Sequence, residues 1–96
     1  MQTAVRELLS LGKLPASTGA DAETLRVFED ALAGIRKPVS DDDARALAGC
    51  FGPDDCFGLA WSLVHAVETA PGWPLPDALT GTDGEWIALL RERSSF

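Results

Sequence analysis

The stretch Asp55-Cys56-Phe57-Gly58-Leu59-Ala60-Trp61-Ser62-Leu63-Val64-His65-Ala66-Val67-Glu68-Thr69-Ala70 decides the fold. Read as a helix, it carries Cys56, Phe57, Leu59, Ala60, Trp61, Leu63, Val64, Ala66 and Val67 around most of its circumference. Only Gly58, Ser62, His65 and Thr69 make a polar line, at offsets 0, 4, 7 and 11, with Glu68 beside it. A helix that is apolar nearly all round must be covered on several sides. Residues 55–70 are therefore expected to form the central helix, capped by Asp54 or Asp55, with the rest of the chain packed around it.

Upstream, Ser40 precedes Asp41, Asp42 and Asp43. This places a capping oxygen ahead of three acids in a first turn, where the helix dipole favours negative charge. Ala44, Leu47, Ala48 and Phe51 supply the buried side of that third helix, and Gly52-Pro53 ends it. Leu25, Phe28, Leu32 and Ile35 recur at the spacing of one helix face, giving a second helix over about residues 21–35 with Gly34 near its end and Pro38 beyond. The first helix runs from Thr3 to Leu11 with Val5, Leu8, Leu9 and Leu11 as its apolar side and Gly12 as its stop. Residues 13–19 read as loop.

Downstream, Pro71-Gly72-Trp73-Pro74-Leu75-Pro76 is a stiff extended loop. Residues 77–79 allow one further helical turn. Thr82-Asp83-Gly84-Glu85 matches a capping box, and Trp86, Leu89 and Leu90 give the last helix its inner face, with Arg91 and Arg93 suiting its C-terminal dipole. The sequence thus predicts an all-α fold in one domain, residues 1–96: a compact bundle of about five helices. One arrangement of it stacks two antiparallel hairpins, second helix with third and fourth with fifth, in a HEAT-like manner. Fourteen alanines and thirteen leucines against two isoleucines agree with helix.

The chain has 8 basic and 15 acidic residues and a net charge of −7. That balance argues against nucleic acid and against anionic membrane surfaces. No Lys or Arg lies between Arg45 and Arg91, so the C-terminal half is expected to present a negative surface. No apolar run reaches the roughly 18 residues of a membrane span, and Met1–Glu7 lacks the layout of a secretory leader. A cytoplasmic, reduced chain is the expectation, with Cys50 and Cys56 as small buried apolar residues.

Ser62, His65 and Glu68 stand on adjoining turns, as a nucleophile, base and orienting carboxylate would. A Gly-x-Ser-x-Gly elbow is lacking, and an activated serine needs an oxyanion site. A polar seam explains the three more simply, and the single histidine and two cysteines do not make up a metal-ligand set. No catalytic, metal or cofactor site is expected. The acids at Asp41, Asp42, Asp43, Asp54 and Asp55 read first as capped helix starts and second as a binding face for a basic partner. Trp73 reads as a lid on the core or as an interface anchor.

The stretch Gly52-Pro53-Asp54-Asp55-Cys56-Phe57-Gly58-Leu59-Ala60-Trp61-Ser62-Leu63-Val64-His65-Ala66-Val67-Glu68-Thr69-Ala70-Pro71-Gly72-Trp73 resembles the core helix of small HEAT-like bacterial immunity proteins from polymorphic-toxin or contact-dependent inhibition systems. Trp61, His65, Glu68 and Trp73 carry the resemblance. It implies a non-enzymatic protein that binds and blocks a toxin domain. The acidic balance of the chain makes a basic toxin domain, occluded by an acidic face, the expected partner, with Asp41, Asp42, Asp43, Asp54 and Asp55 supplying charge and Trp73 an anchor. Two other readings follow from the residues: a structural or regulatory subunit of a larger assembly or homodimer, and a small hydrolase or metalloenzyme using Ser62, His65 and Glu68.

Overall fold

Alternating buried and exposed positions sort the chain into helices around one apolar cluster. The computed structural model describes residues 1–75 and 84–93. Among these the regular structure is entirely helical: α1 (Thr3–Leu11), α2 (Ala22–Ala33), α3 (Asp41–Leu47) continued by a 3-10 turn (Ala48–Cys50), α4 (Leu59–Glu68) and α5 (Glu85–Arg93). The radius of gyration, 12.5 Å, is what about 100 residues reach when packed as one body.

Local chemistry sets most of the ends. Asp21 caps α2 by accepting from the Thr24 amide at 2.7 Å. Ser40 caps α3 by accepting from the Asp43 amide at 3.1 Å. Gly12 stops α1 with φ +86°, a left-handed value that suits glycine. Phe28, Leu32 and Ile35 are buried as their spacing predicts, with Leu25 only half-buried against the core, and Ala44, Leu47, Ala48 and Phe51 are buried as well. On α1 only Val5 and Leu8 go inside, whereas Leu9 and Leu11 remain exposed because nine residues of helix turn them off the buried stripe. On α5 the buried pair is Ile87 and Leu90, with Trp86 and Leu89 half-buried.

Helix α1 packs on α2, and α3 packs on α4. The two pairs join through α2 on α4 and α1 on α3. The expected pairing of second helix with third is replaced by these contacts. The reason is visible in the connections. Reciprocal hydrogen bonds tie Gln2, ahead of α1, to the backbone of Arg36, beyond α2. The Thr69 hydroxyl accepts from the Val39 amide at 3.0 Å and donates to the Ala66 carbonyl. Asp41 accepts from the Gly72 amide at 2.7 Å, so the loop after α4 is fastened to the start of α3. Leu63, Val64, Ala66 and Val67 of α4 are fully buried, in the middle of the core. Across the top, the Leu14 amide donates to the Cys50 carbonyl, and the chain passes so close to Gly52 that a Cβ there would strike the Leu14 carbonyl. The turn at residues 77–79 and the Thr82-Asp83 part of the capping box lie outside the described residues.

Candidate interaction surface

The sequence places a capping acid directly before α4. The structure puts a different device there. Helix α4 begins at Leu59, and its N-cap is Gly58 in the left-handed region with no side-chain cap. Cys56 at φ 47° and Phe57 at φ 55° precede it, so three consecutive residues are left-handed and two of them bear side chains. Each of the two residues with a side chain costs roughly 1–2 kcal/mol, and a cost of that kind persists only where surroundings enforce it.

Asp54 supplies the enforcement. Its carboxylate accepts from the Ser17 hydroxyl at 2.7 Å, from the Ser17 amide at 3.1 Å and from the Cys56 amide at 2.9 Å. These donors, the Ser17 hydroxyl first, hold its pKa below the ordinary aspartate value. Its backbone carbonyl accepts from the Trp86 indole at 3.1 Å. One residue thereby joins the loop after α1, the turn before α4, and α5.

The consequence is an inward and an outward residue side by side. Cys56 is fully buried, whereas Phe57 is 67% exposed. One turn on, Trp61 is 39% exposed. Its ring meets that of Trp86 edge-to-face, with centroids 5.4 Å apart and planes at 88°, and lies 6.4 Å from the His65 ring. Phe51 stacks on Trp86 at 5.8 Å. Phe57 and Trp61, expected among the core residues, are instead turned outward, Trp61 against Trp86. Trp61 and His65, four apart on α4, share the side that carries the polar line, and that spacing is the signal in the sequence for Trp61; Phe57 precedes the helix in a left-handed turn, so helical spacing does not place it.

The expected acids do not make one patch of free charge. Asp42 and Asp55 are exposed, Asp42 paired with Arg45 at 3.1 Å. Asp41 and Asp54 are occupied in the loop contacts described above. Asp43 is only 3% exposed, and its Oδ1 has no hydrogen-bond partner among the described residues. Burial removes Asp43 from any contact surface. Trp73 is half-buried against the core with its amide donating to the Ala70 carbonyl.

Ser62, His65 and Glu68 share a face but not an environment. Glu68 is gripped by the Arg93 guanidinium through two parallel bonds of 2.7 and 2.8 Å, a charge-assisted fork that ties α4 to α5. Ser62 borders a hollow with Leu32, Ile35 and Lys37, while His65 neighbours Trp61. Cys50 and Cys56 are separate, buried thiols. Burial raises both pKa values, and the Asp54 and Asp55 charges add to the rise at Cys56, so both stay protonated near neutral pH. Among the described residues no three His, Cys, Asp or Glu side chains converge as metal ligands, and no helix is long and apolar enough to cross a membrane. No family model, curated protein or solved structure matches this chain.

Proposed function

We propose that this chain is a non-enzymatic protein-binding module that meets a basic protein partner through the Phe57–Trp61–Trp86 face. The observation that carries the reading is Phe57: a large aromatic, 67% exposed, held outward by a left-handed backbone that the fold maintains at a cost. Buried interface anchors are typically aromatic. Asp55 and Glu85, both exposed in this region, favour a cationic partner and repel an anionic one. Within that class the reading is a cytoplasmic immunity protein that occludes a basic toxin domain, supported by the resemblance over residues 52–73.

The test is calorimetric titration of the protein with the purified product of the neighbouring gene, together with survival of cells that express that product. Tight binding and protection are expected, and Phe57→Ala is expected to weaken binding by at least about tenfold, as loss of a hot-spot aromatic does. Absence of both binding and protection rejects the immunity reading. A dimer seen by light scattering and dissolved by Phe57→Ala assigns the face to a second copy and rejects the hetero-partner.

A further inference from the structure

We infer that Trp61, Trp86 and Glu85 form a receptor for one arginine guanidinium of the partner protein. The inference rests on the protein-binding reading and specifies the chemistry of its centre. Trp61, Glu85, Trp86 and Leu89 line a single open recess of about 220 Å³. Two indoles meeting edge-to-face at 88° form a corner, and with Phe51 stacked on Trp86 the Trp61 ring is the wall left to attract a cation through its face; a planar guanidinium stacks on indole better than a compact ammonium does. Glu85, at the first position of α5, adds a carboxylate on the same wall. A guanidinium can stack and donate to that carboxylate at once.

The Trp86 wall of the corner is set before anything binds. The indole N–H of Trp86 is fixed on the Asp54 carbonyl, and Phe51 is stacked beside its ring. A preset wall spares the ordering cost that a mobile side chain would incur on binding. The charge pattern narrows the occupant further. Glu85 would be left desolvated and unpaired by an apolar side chain and repelled by an acidic one. Exposed Asp55 follows Asp54, whose carbonyl accepts from the Trp86 indole, and adds negative charge near that wall.

The experiment titrates the full chain with acetyl-Gly-Gly-Arg-Gly-Gly-amide while the three indole N–H resonances are followed by NMR at low salt. Saturable shifts at Trp61 and Trp86, with Trp73 unmoved, are expected. The same peptide with citrulline in place of arginine should bind at least tenfold more weakly, and one with lysine severalfold more weakly. Glu85→Gln should weaken the arginine peptide severalfold, and Trp61→Leu should abolish the effect, the Trp73 resonance reporting that the fold persists. Equal binding of the citrulline or lysine peptide, or no saturable shift at the two indoles, overturns the receptor. If the peptide fails while Phe57-dependent partner binding holds, only the receptor falls. If the peptide binds and the neighbouring gene product does not, the receptor stands and the immunity reading falls.

Discussion

Two helix starts in this molecule look alike in the sequence and are built differently. Ser40-Asp41-Asp42-Asp43 and Pro53-Asp54-Asp55-Cys56 both offer acids after a helix-breaking stretch. At the first, the cap is local: the Ser40 oxygen receives the amide three residues on, and the helix follows at once. At the second, Asp54 turns away to Ser17, 37 residues earlier in the chain, and the backbone goes through three left-handed residues before α4 begins. A local cap needs only its own few residues and produces a plain helix start. A cap replaced by a tertiary anchor can hold an unfavourable backbone, and here that backbone aims Phe57 at solvent.

Gly52, just ahead of the second start, is the position most sensitive to substitution. Alanine there must displace the Leu14 carbonyl, so Gly52→Ala should destabilise by about 1–3 kcal/mol or more, the usual range for overpacking. Urea denaturation measures it, and an unchanged midpoint would contradict the close approach. Ser40→Ala tests the local start: loss of the α3 cap should cost about 1 kcal/mol, with no effect on partner binding. Phe57→Gly should go the other way. It relieves left-handed strain but adds glycine's entropy cost, for a net gain of about 0.5 kcal/mol, while partner binding is lost. A variant that is both less stable and still competent to bind would place the function elsewhere.

The smallest effect is in acid. Asp54 has its folded pKa lowered by Ser17 and Cys56. Its contribution is therefore complete above the unfolded value of about 4 and disappears as pH falls through the lower folded value. Asp54→Asn should flatten that part of the acid limb in a pH series of urea melts. Asp21, lowered by Thr24 in the same direction, leaves the remainder of the slope in place. Ser17→Ala should raise the Asp54 pKa toward its ordinary value, as carboxyl NMR titration would register.

Much of this arrangement was legible in the residues. The interval of three and four between Phe28, Leu32 and Ile35, the Ser40 cap and the Gly12 stop depend on neighbours within a few positions, and each stands as the pattern reads. The run of α4 stands in part: Leu63, Val64, Ala66 and Val67 are buried, while the helix starts at Leu59 and Trp61 is exposed. The residues of the proposed binding surface were less so. Asp43 and Asp55 are equally acidic in sequence, yet one is buried and the other exposed. Trp61 and Phe57 count as apolar in any periodicity reading, yet both are exposed.

What the sequence determined alone was the all-helical class, most helix ends and the negative balance, because helix periodicity and capping are short-range and charge is additive. Only tertiary structure decided which helices pair, that Asp54 serves Ser17 rather than α4, and that two tryptophans meet at a right angle. Those outcomes depend on contacts between residues 25 to 37 positions apart, such as Arg93 with Glu68 and Ser17 with Asp54, and chain order does not specify which distant groups will meet.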